Sequence, residues 1–134
     1  MPNLILTASG WQSRVCDKLG VDSPYLPDEI IEQPDIITVA EAKIIGQVAD
    51  YAALTGTDRV YLEAATVCEC AVLLCPSMAA RMPTKEQGPH FSHEIAVDWE
   101  RKRGELAAER DGYILNIAGS DTALLHFVLA GPNR

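Results

Sequence analysis

Apolar positions recur along this chain mainly at helical rather than alternating spacing, and glycine and proline divide the pattern into segments. Trp11, Val15 and Leu19 step by four residues and end at Gly20, which fits the position just past a helix. Ser9 followed by Gln12 has the form of a capping box, so a first helix is predicted near residues 10–19. Leu26 to Ile31 reads as one or two helical turns. Pro27 suits the first helical position, Asp28 and Glu29 suit the positive end of the dipole, and Pro34 ends the element.

A longer helix is predicted over Thr38 to Leu54. Thr38 and Glu41 form a second capping box, and Ala40, Ile44, Val48 and Ala52 make a stripe widened by Ile45 and Tyr51, with Gly56 as the stop. A central helix is predicted from Asp58, its N-cap, to about Met82. From Val60 to Leu74 its apolar residues run nearly all the way round, the mark of a helix buried on every side. Pro76 is expected to kink or end it. Residues 83–92 form a polar loop, with Lys85, His90 and Phe91 as candidate contacts for other molecules. His93 to Ile117 follows as a long amphipathic helix with Ile95, Trp99, Leu106, Tyr113 and Ile117 on one stripe; Gly104 and Gly112 weaken its later turns. The tail, Thr122 to Leu129, is short and apolar. Read as a strand, it needs a pairing partner, expected to be another subunit because the chain holds no other long strand.

Apolar residues make up 48% and charged residues 22% of the 134, values of one globular domain rather than a disordered chain. The net charge of −8 disfavours sequence-independent binding to nucleic acid or anionic membranes, because such partners demand Lys and Arg. Met1 to Leu6 lacks the basic start and apolar run of a signal peptide. The richest apolar window, Ala64 to Cys75, is bounded by Pro76 and interrupted by Glu69, so no bilayer-spanning segment is expected. The chain is placed in a cytoplasm-like environment. Cys16, Cys68, Cys70 and Cys75 are read as reduced, buried small hydrophobes, since Cys68 and Cys70 point to different faces of one helix.

Candidate chemistry is sparse. Cys68, Cys70, Cys75, His90 and His93 are the one metal-like set, but their C-x-C, C-x₄-C and H-x₂-H spacings depart from zinc-site spacing. Cys68 with His93, or Cys16 with His90, resembles a nucleophile–base pair without the electropositive, exposed setting that a reactive thiol needs. Glu94 and Asp98 share a helix face, where a solvated first turn explains them. Arg101, Lys102 and Arg103 form a short basic run that is either a solvated face or a contact for phosphates lining a pore. No phosphate-binding, dinucleotide, nucleophile-elbow or H-E-x-x-H motif is present.

The order of segments resembles the head–tail connector (head-completion or adaptor) proteins of long-tailed bacteriophages. The residues that carry the resemblance are Leu26-Pro27-Asp28-Glu29-Ile30-Ile31, then Ala40-Glu41-Ala42 with Ile45, Val48, Asp50 and Tyr51. Leu62 with Ala65, Ala71 with Leu74 and Pro76, and finally Asp98-Trp99 complete it. It spans residues 26–117, about two-thirds of the chain. Such a family implies a helical virion subunit that assembles into a ring of about twelve copies, a closed arrangement of head-to-tail contacts. It further implies docking on a portal protein above and tail-side neck or completion proteins below. Genomic DNA passes through the lumen without sequence-specific binding.

The expected fold is therefore all-α: a small bundle of about four helices with a short N-terminal helix and an extended C-terminal tail. The expected divisions are an N-terminal segment over 1–25, a helical core over 26–118 and a tail over 119–134. No enzymatic activity, metal or cofactor is expected. Interface candidates are Lys85, His90, Phe91, Arg101, Lys102, Arg103, Leu124, Leu125, Phe127, Val128 and Leu129. A small thiol or zinc protein and a helical adaptor module that binds a partner helix in a groove are the alternatives.

Overall fold

The computed structural model describes residues 3–22, 24–81 and 98–117. Among them are five α-helices and one short 3₁₀ turn, and no strand: α1 Trp11–Leu19, α2 Asp28–Ile31, α3 Ile37–Ile45, the turn Tyr51–Ala53, α4 Gly56–Arg81 and α5 Trp99–Asn116. The fold is all-α, as the periodicity predicts. The loop over 83–92 and the apolar tail lie outside the described residues, and the last helix, predicted from His93, begins only at Trp99, because Asp98 is its N-cap in extended backbone.

The centre of the bundle is α4. It packs along α5 and is flanked by α1 and α3. Its Leu62, Ala65, Val67, Cys68, Cys70, Ala71, Leu74, Cys75 and Met78 are all buried, which is what the nearly unbroken apolar circumference requires. The cover comes from the chain itself. Val60 stays outside, and Val72 and Leu73 are only half-buried, so α4 does not by itself demand a neighbouring subunit. This helix is also long and apolar enough by composition to cross a membrane, contrary to expectation, yet 67% of that window is buried within the bundle.

Helix ends differ from their predicted caps. The capping box at Ser9 does not form: Gly10 is the N-cap of α1, at φ +89°, and no side chain caps the helix. A left-handed backbone there admits glycine readily and a serine poorly. At the other end Gly20, φ +74°, closes α1 as predicted, with the amides of Gly20 and Val21 returning to the Cys16 carbonyl. Pro27 stands one place earlier than predicted, as the N-cap of α2.

The helix predicted over 38–54 ends at Ile45. Gly46 keeps α-region backbone as the C-cap, its amide still reaching the Ala42 carbonyl, but the segment to Asp50 runs through turns, and the chain re-forms only a 3₁₀ turn at Tyr51. Glycine weakens a helix at that point by about 1 kcal/mol. Val48 is buried all the same, so tertiary packing rather than a continuous helix places it. Ala52, assigned to the same stripe, is exposed. Thr38 does not cap α3; the N-cap is Ile36.

The N-terminal stretch set apart on sequence belongs to the core. Ile5, Leu6, Trp11, Val15, Cys16 and Leu19 are all buried with the residues of α3 and α4. The helix α5 runs antiparallel to α4, with Arg110 against Glu69 and the Tyr113 ring 6.1 Å from that of Tyr61. Its buried face is Leu106 and Ile114, continued by Ile117 just past its end. Ile114 was missed by the predicted stripe. Asp98 is its N-cap, accepting a hydrogen bond from the Arg101 amide at 3.0 Å.

Pro76 neither ends nor interrupts α4, which continues to Arg81. The ring is exposed. Leu74, Cys75 and Met78 anchor the helix on both sides of it, and the Ser77 hydroxyl donates to the Leu74 carbonyl at 3.0 Å. Proline still lacks the N–H that would reach the Val72 carbonyl. Replacing Pro76 with Ala should therefore raise the unfolding free energy by about 1–3 kcal/mol. The expected readout is a higher urea midpoint at an unchanged slope.

Candidate functional site

Polar chemistry inside the described bundle centres on two buried carboxylates, Glu41 on α3 and Glu69 on α4. Glu41 is 5% exposed. Its oxygens accept from three successive backbone amides: Leu4 at 3.0 and 3.1 Å, Ile5 at 2.7 Å and Leu6 at 3.0 Å. The Arg59 guanidinium reaches over from α4 to the Ile5 carbonyl at 2.6 Å. Buried charge requires such partners, and these hydrogen bonds are of the strong, charge-assisted kind. Glu69, 2% exposed, is paired with Arg110 of α5. Each carboxylate thus holds two parts of the chain together.

A second polar cluster joins α1, α4 and α5. Lys18 pairs with Glu109, Tyr113 donates to the same carboxylate at 3.0 Å, and the Lys18 ammonium lies 5.6 Å from the Tyr113 ring centre. Burial pushes the Glu109 carboxyl up, but the hydrogen bonds from Lys18 and Tyr113 outweigh it, so its pKa falls below 4.5. The hydrogen bond to Glu109 raises Lys18 above its ordinary value against the effect of burial.

All four cysteines are buried free thiols. Burial, with the Glu109 charge beside it, pushes Cys68 up to about 12. Burial also raises Cys70, aided by Glu41 and Glu69, and raises Cys16, aided by Asp28. Cys75 is raised by burial against the opposing charges of Lys102 and Arg103. A nucleophilic or metal-binding cysteine needs the thiolate, which these surroundings suppress. Among the described residues no group of three or more His, Cys, Asp or Glu is placed to hold a metal ion. His90 and His93, with which the thiols were paired on sequence, lie outside the described residues.

Of the interface candidates, Lys85, His90, Phe91, Leu124, Leu125, Phe127, Val128 and Leu129 also fall outside. Arg101, Lys102 and Arg103 open α5. Arg101 bonds Glu105 at 3.2 Å and Arg103 pairs with Glu100, so acids on the same helix answer two of the three cations. Lys102 is half-buried. The run is a mixed-charge helix face more than a cationic patch for phosphate.

Among the described residues a groove of about 870 Å³ lies between the N-terminal segment, the start of α1 and the outer face of α3. Leu4, Trp11, Ile37, Ala42 and Ile45 supply apolar lining, and Gln12, Glu32 and Thr38 supply polar groups. A hollow of about 410 Å³ over Leu6 to Gln12 shares Asn3, Trp11 and Gln12 with it. Glu41 forms part of the wall while its carboxylate oxygens are taken by amides. Leu4 is 56% exposed although its backbone is fixed by Glu41, so an apolar side chain is held out at the groove by a rigid support.

Sequence reasoning missed the groove and both carboxylates. Glu69 carried a usable signal, since an acid within an otherwise apolar helical run implies a buried partner. Glu41 carried none, because the amides that bind it lie more than thirty positions earlier, separated by 35 to 37 residues.

Removing the Glu41 carboxylate with Ala should cost about 2–4 kcal/mol, since the amides it serves are left buried without an acceptor. Hydrogen exchange should quicken at Ile5 and Leu6 well before it does in α4. The Lys18–Glu109 pair makes a pH prediction. Glu109 is held lower in the fold than in the unfolded chain, so its contribution is present above 4.5 and is lost as pH falls through the folded value. The stability gap between the wild type and a Lys18→Met variant should be widest near neutrality and close on acidification, measured by urea midpoints along a pH series. Among known proteins, no family model, curated protein or solved structure matches this chain.

Proposed function

We propose that this chain is a structural virion protein, a subunit of the connector ring that joins the DNA-filled head of a long-tailed phage to its tail. The reading rests on the resemblance of segment order over residues 26–117. What supports it most is how those segments fall on the helices. Leu26 to Ile31 leads into α2, Ala40-Glu41-Ala42 lies in α3, Leu62 to Pro76 lies in α4, and Asp98 caps α5 with Trp99 as its first residue. The buried ionic groups fit a structural role: Glu41 and Glu69 hold the fold together, and the thiols are kept protonated.

On this reading the partners are further copies of the chain, the portal protein and the tail-side neck proteins. Duplex DNA passes the lumen without being gripped, because a subunit of net charge −8 repels phosphate. Large apolar side chains left outside the core, among them Leu4, Val39, Val60 and Leu115, are available for contacts between subunits. Val60 and Leu115 belong to the same end of the antiparallel α4–α5 pair, given Tyr61 against Tyr113.

Electron microscopy and native mass measurement of the purified chain, alone and with the portal protein of the same phage, test this reading. The expected particle is a closed ring seated on the portal. A strictly monomeric particle in both samples would overturn it.

A further inference from the structure

We propose that residues 3–6 are a detachable arm, exchanged between two copies of this chain so that each arm seats in the Glu41–Arg59 clamp of its neighbour. The inference draws on the described contacts alone and does not rest on the connector reading.

Among the described residues neither helix nor strand pairing binds the arm. Two side chains from other elements hold its backbone. Glu41 of α3 accepts from the amides of Leu4, Ile5 and Leu6, and Arg59 of α4 donates to the Ile5 carbonyl at 2.6 Å. The side chains of Ile5 and Leu6 are buried beneath it, while Leu4 stays outside. This is how a protein takes a peptide ligand: its backbone groups give attachment, and slots for its side chains give selectivity. Two further bonds lie within the arm and its link. The Asn3 side-chain amide donates to the Leu6 carbonyl at 2.8 Å, and the Thr7 amide to the Ile5 carbonyl at 3.0 Å. A departing arm carries these with it.

The clamp is positioned without the arm. Arg59 is held by Glu63 at 3.0 Å, one turn along α4, and Glu63 is reached by Arg14 of α1 at 3.3 Å. Glu41 stands on α3, whose Ile37, Ala40 and Ile44 are buried in the core. The receiving groups are therefore fixed by α1, α3 and α4, a preorganised site that favours binding of whichever arm arrives.

The link to α1 can change direction. Thr7, Ala8, Ser9 and Gly10 are all exposed. Gly10 sits at φ +89°, and a Cβ placed there would meet nothing within 4 Å. Glycine moves between left-handed and extended backbone with little penalty, so an outward swing can be confined to these four residues.

The fit names the occupant. A foreign peptide would have to present three consecutive amides to one carboxylate and two adjacent apolar side chains to the core. The arm of a second copy does both, because it repeats each contact unchanged. Exchange then loses no contact, which makes it a low-cost route to assembly. Tethering opposes it, since a short flexible link presents the chain's own arm at an effective concentration on the order of millimolar. Exchange accordingly belongs to copies crowded together, and to chains whose link is too short to fold back.

The test uses chains that each lack one half of the contact. Ile5→Asp spoils the arm and keeps the clamp, with Ile5→Ala in reserve should it fail to fold. Glu41→Ala spoils the clamp and keeps the arm, with Glu41→Gln in reserve. Circular dichroism checks the fold, light scattering reads the mass, and hydrogen exchange follows the amides of Leu4 to Leu6. Alone, each folded variant should be a single copy with those amides exchanging fast. Mixed near millimolar concentration, the two should pair, and the amides of the Glu41 variant should slow by roughly tenfold or more as its arm enters the intact clamp. A chain lacking Ala8 and Ser9 should associate at a concentration roughly tenfold or more below that of the full chain.

Folded variants whose mixture keeps fast amides and single-copy mass overturn the inference. So does a shortened link that leaves the chain a single copy at millimolar concentration. Rings that form on the portal from such a mixture, with the amides still fast, overturn arm exchange and leave the connector reading standing. Slowed amides in a mixture that never builds a ring on the portal support arm exchange and count against the connector.

Discussion

A single carboxylate organises the first half of this molecule. The segment Leu4 to Leu6 is irregular, with bends at Leu4 and Ile5, it buries Ile5 and Leu6, and among the described residues no strand lies beside it to bind its amides. Backbone donors left unpaired in that position would each cost free energy comparable to a lost hydrogen bond. Glu41 resolves the difficulty by accepting from all three, and Arg59 takes up the Ile5 carbonyl between them. Successive amides converging on one anion form a concave nest that suits negative charge. The segment is thereby locked across α3 and α4. Ile5 and Leu6 enter the core, Leu4 is held at the surface, and the groove beside α3 acquires its wall.

The second half depends on a comparable device. The described face of α5 has little apolar surface of its own to offer α4: Leu106 and Ile114 are fully buried, with Ile117 beyond the helix end, and charged residues occupy much of the rest. Apolar contact of that extent fixes proximity more firmly than register. The pairing of Glu69 with Arg110 is directional, and breaking it would strand a carboxylate in an apolar helix. It therefore sets how far α5 slides along α4. The Lys18–Glu109–Tyr113 cluster repeats the logic one turn away and ties α1 into the same alignment.

The physics of legibility differs between these layers. Helix existence was readable because it follows from periodicity in a contiguous stretch: Trp11 to Leu19 and Leu62 to Leu74 announce themselves. Helix ends were less so. At Ser9 a capping pattern lost to the left-handed backbone of the neighbouring Gly10, and at Thr38 it lost to a long-range constraint, the recruitment of Glu41 by residues 4–6. At Pro76 the local penalty was outweighed by packing on both sides. The groove was unreadable for the same reason as Glu41, since its wall joins positions from Asn3 to Gly46 that only the fold brings together. The apolar circumference of α4 was correctly read as buried, but its cover is intramolecular, so the inference from greasy helix to neighbouring subunit did not follow.

That last point shifts where an assembly surface has to be sought. A subunit whose central helix was incomplete would associate through its core, and its folding would be inseparable from its assembly. Here the described core closes within one chain, and what the described residues leave outside is peripheral: a rigidly held Leu4, an exposed Val39 on α3, and a stretch from Asp22 to Glu41 whose charged residues are all acidic. Contacts built from such parts are smaller and more dependent on charge than a shared core. They form between folded molecules, and their rate and selectivity respond to ionic strength. The connector role proposed above would draw on contacts of this kind, made between copies that have already folded.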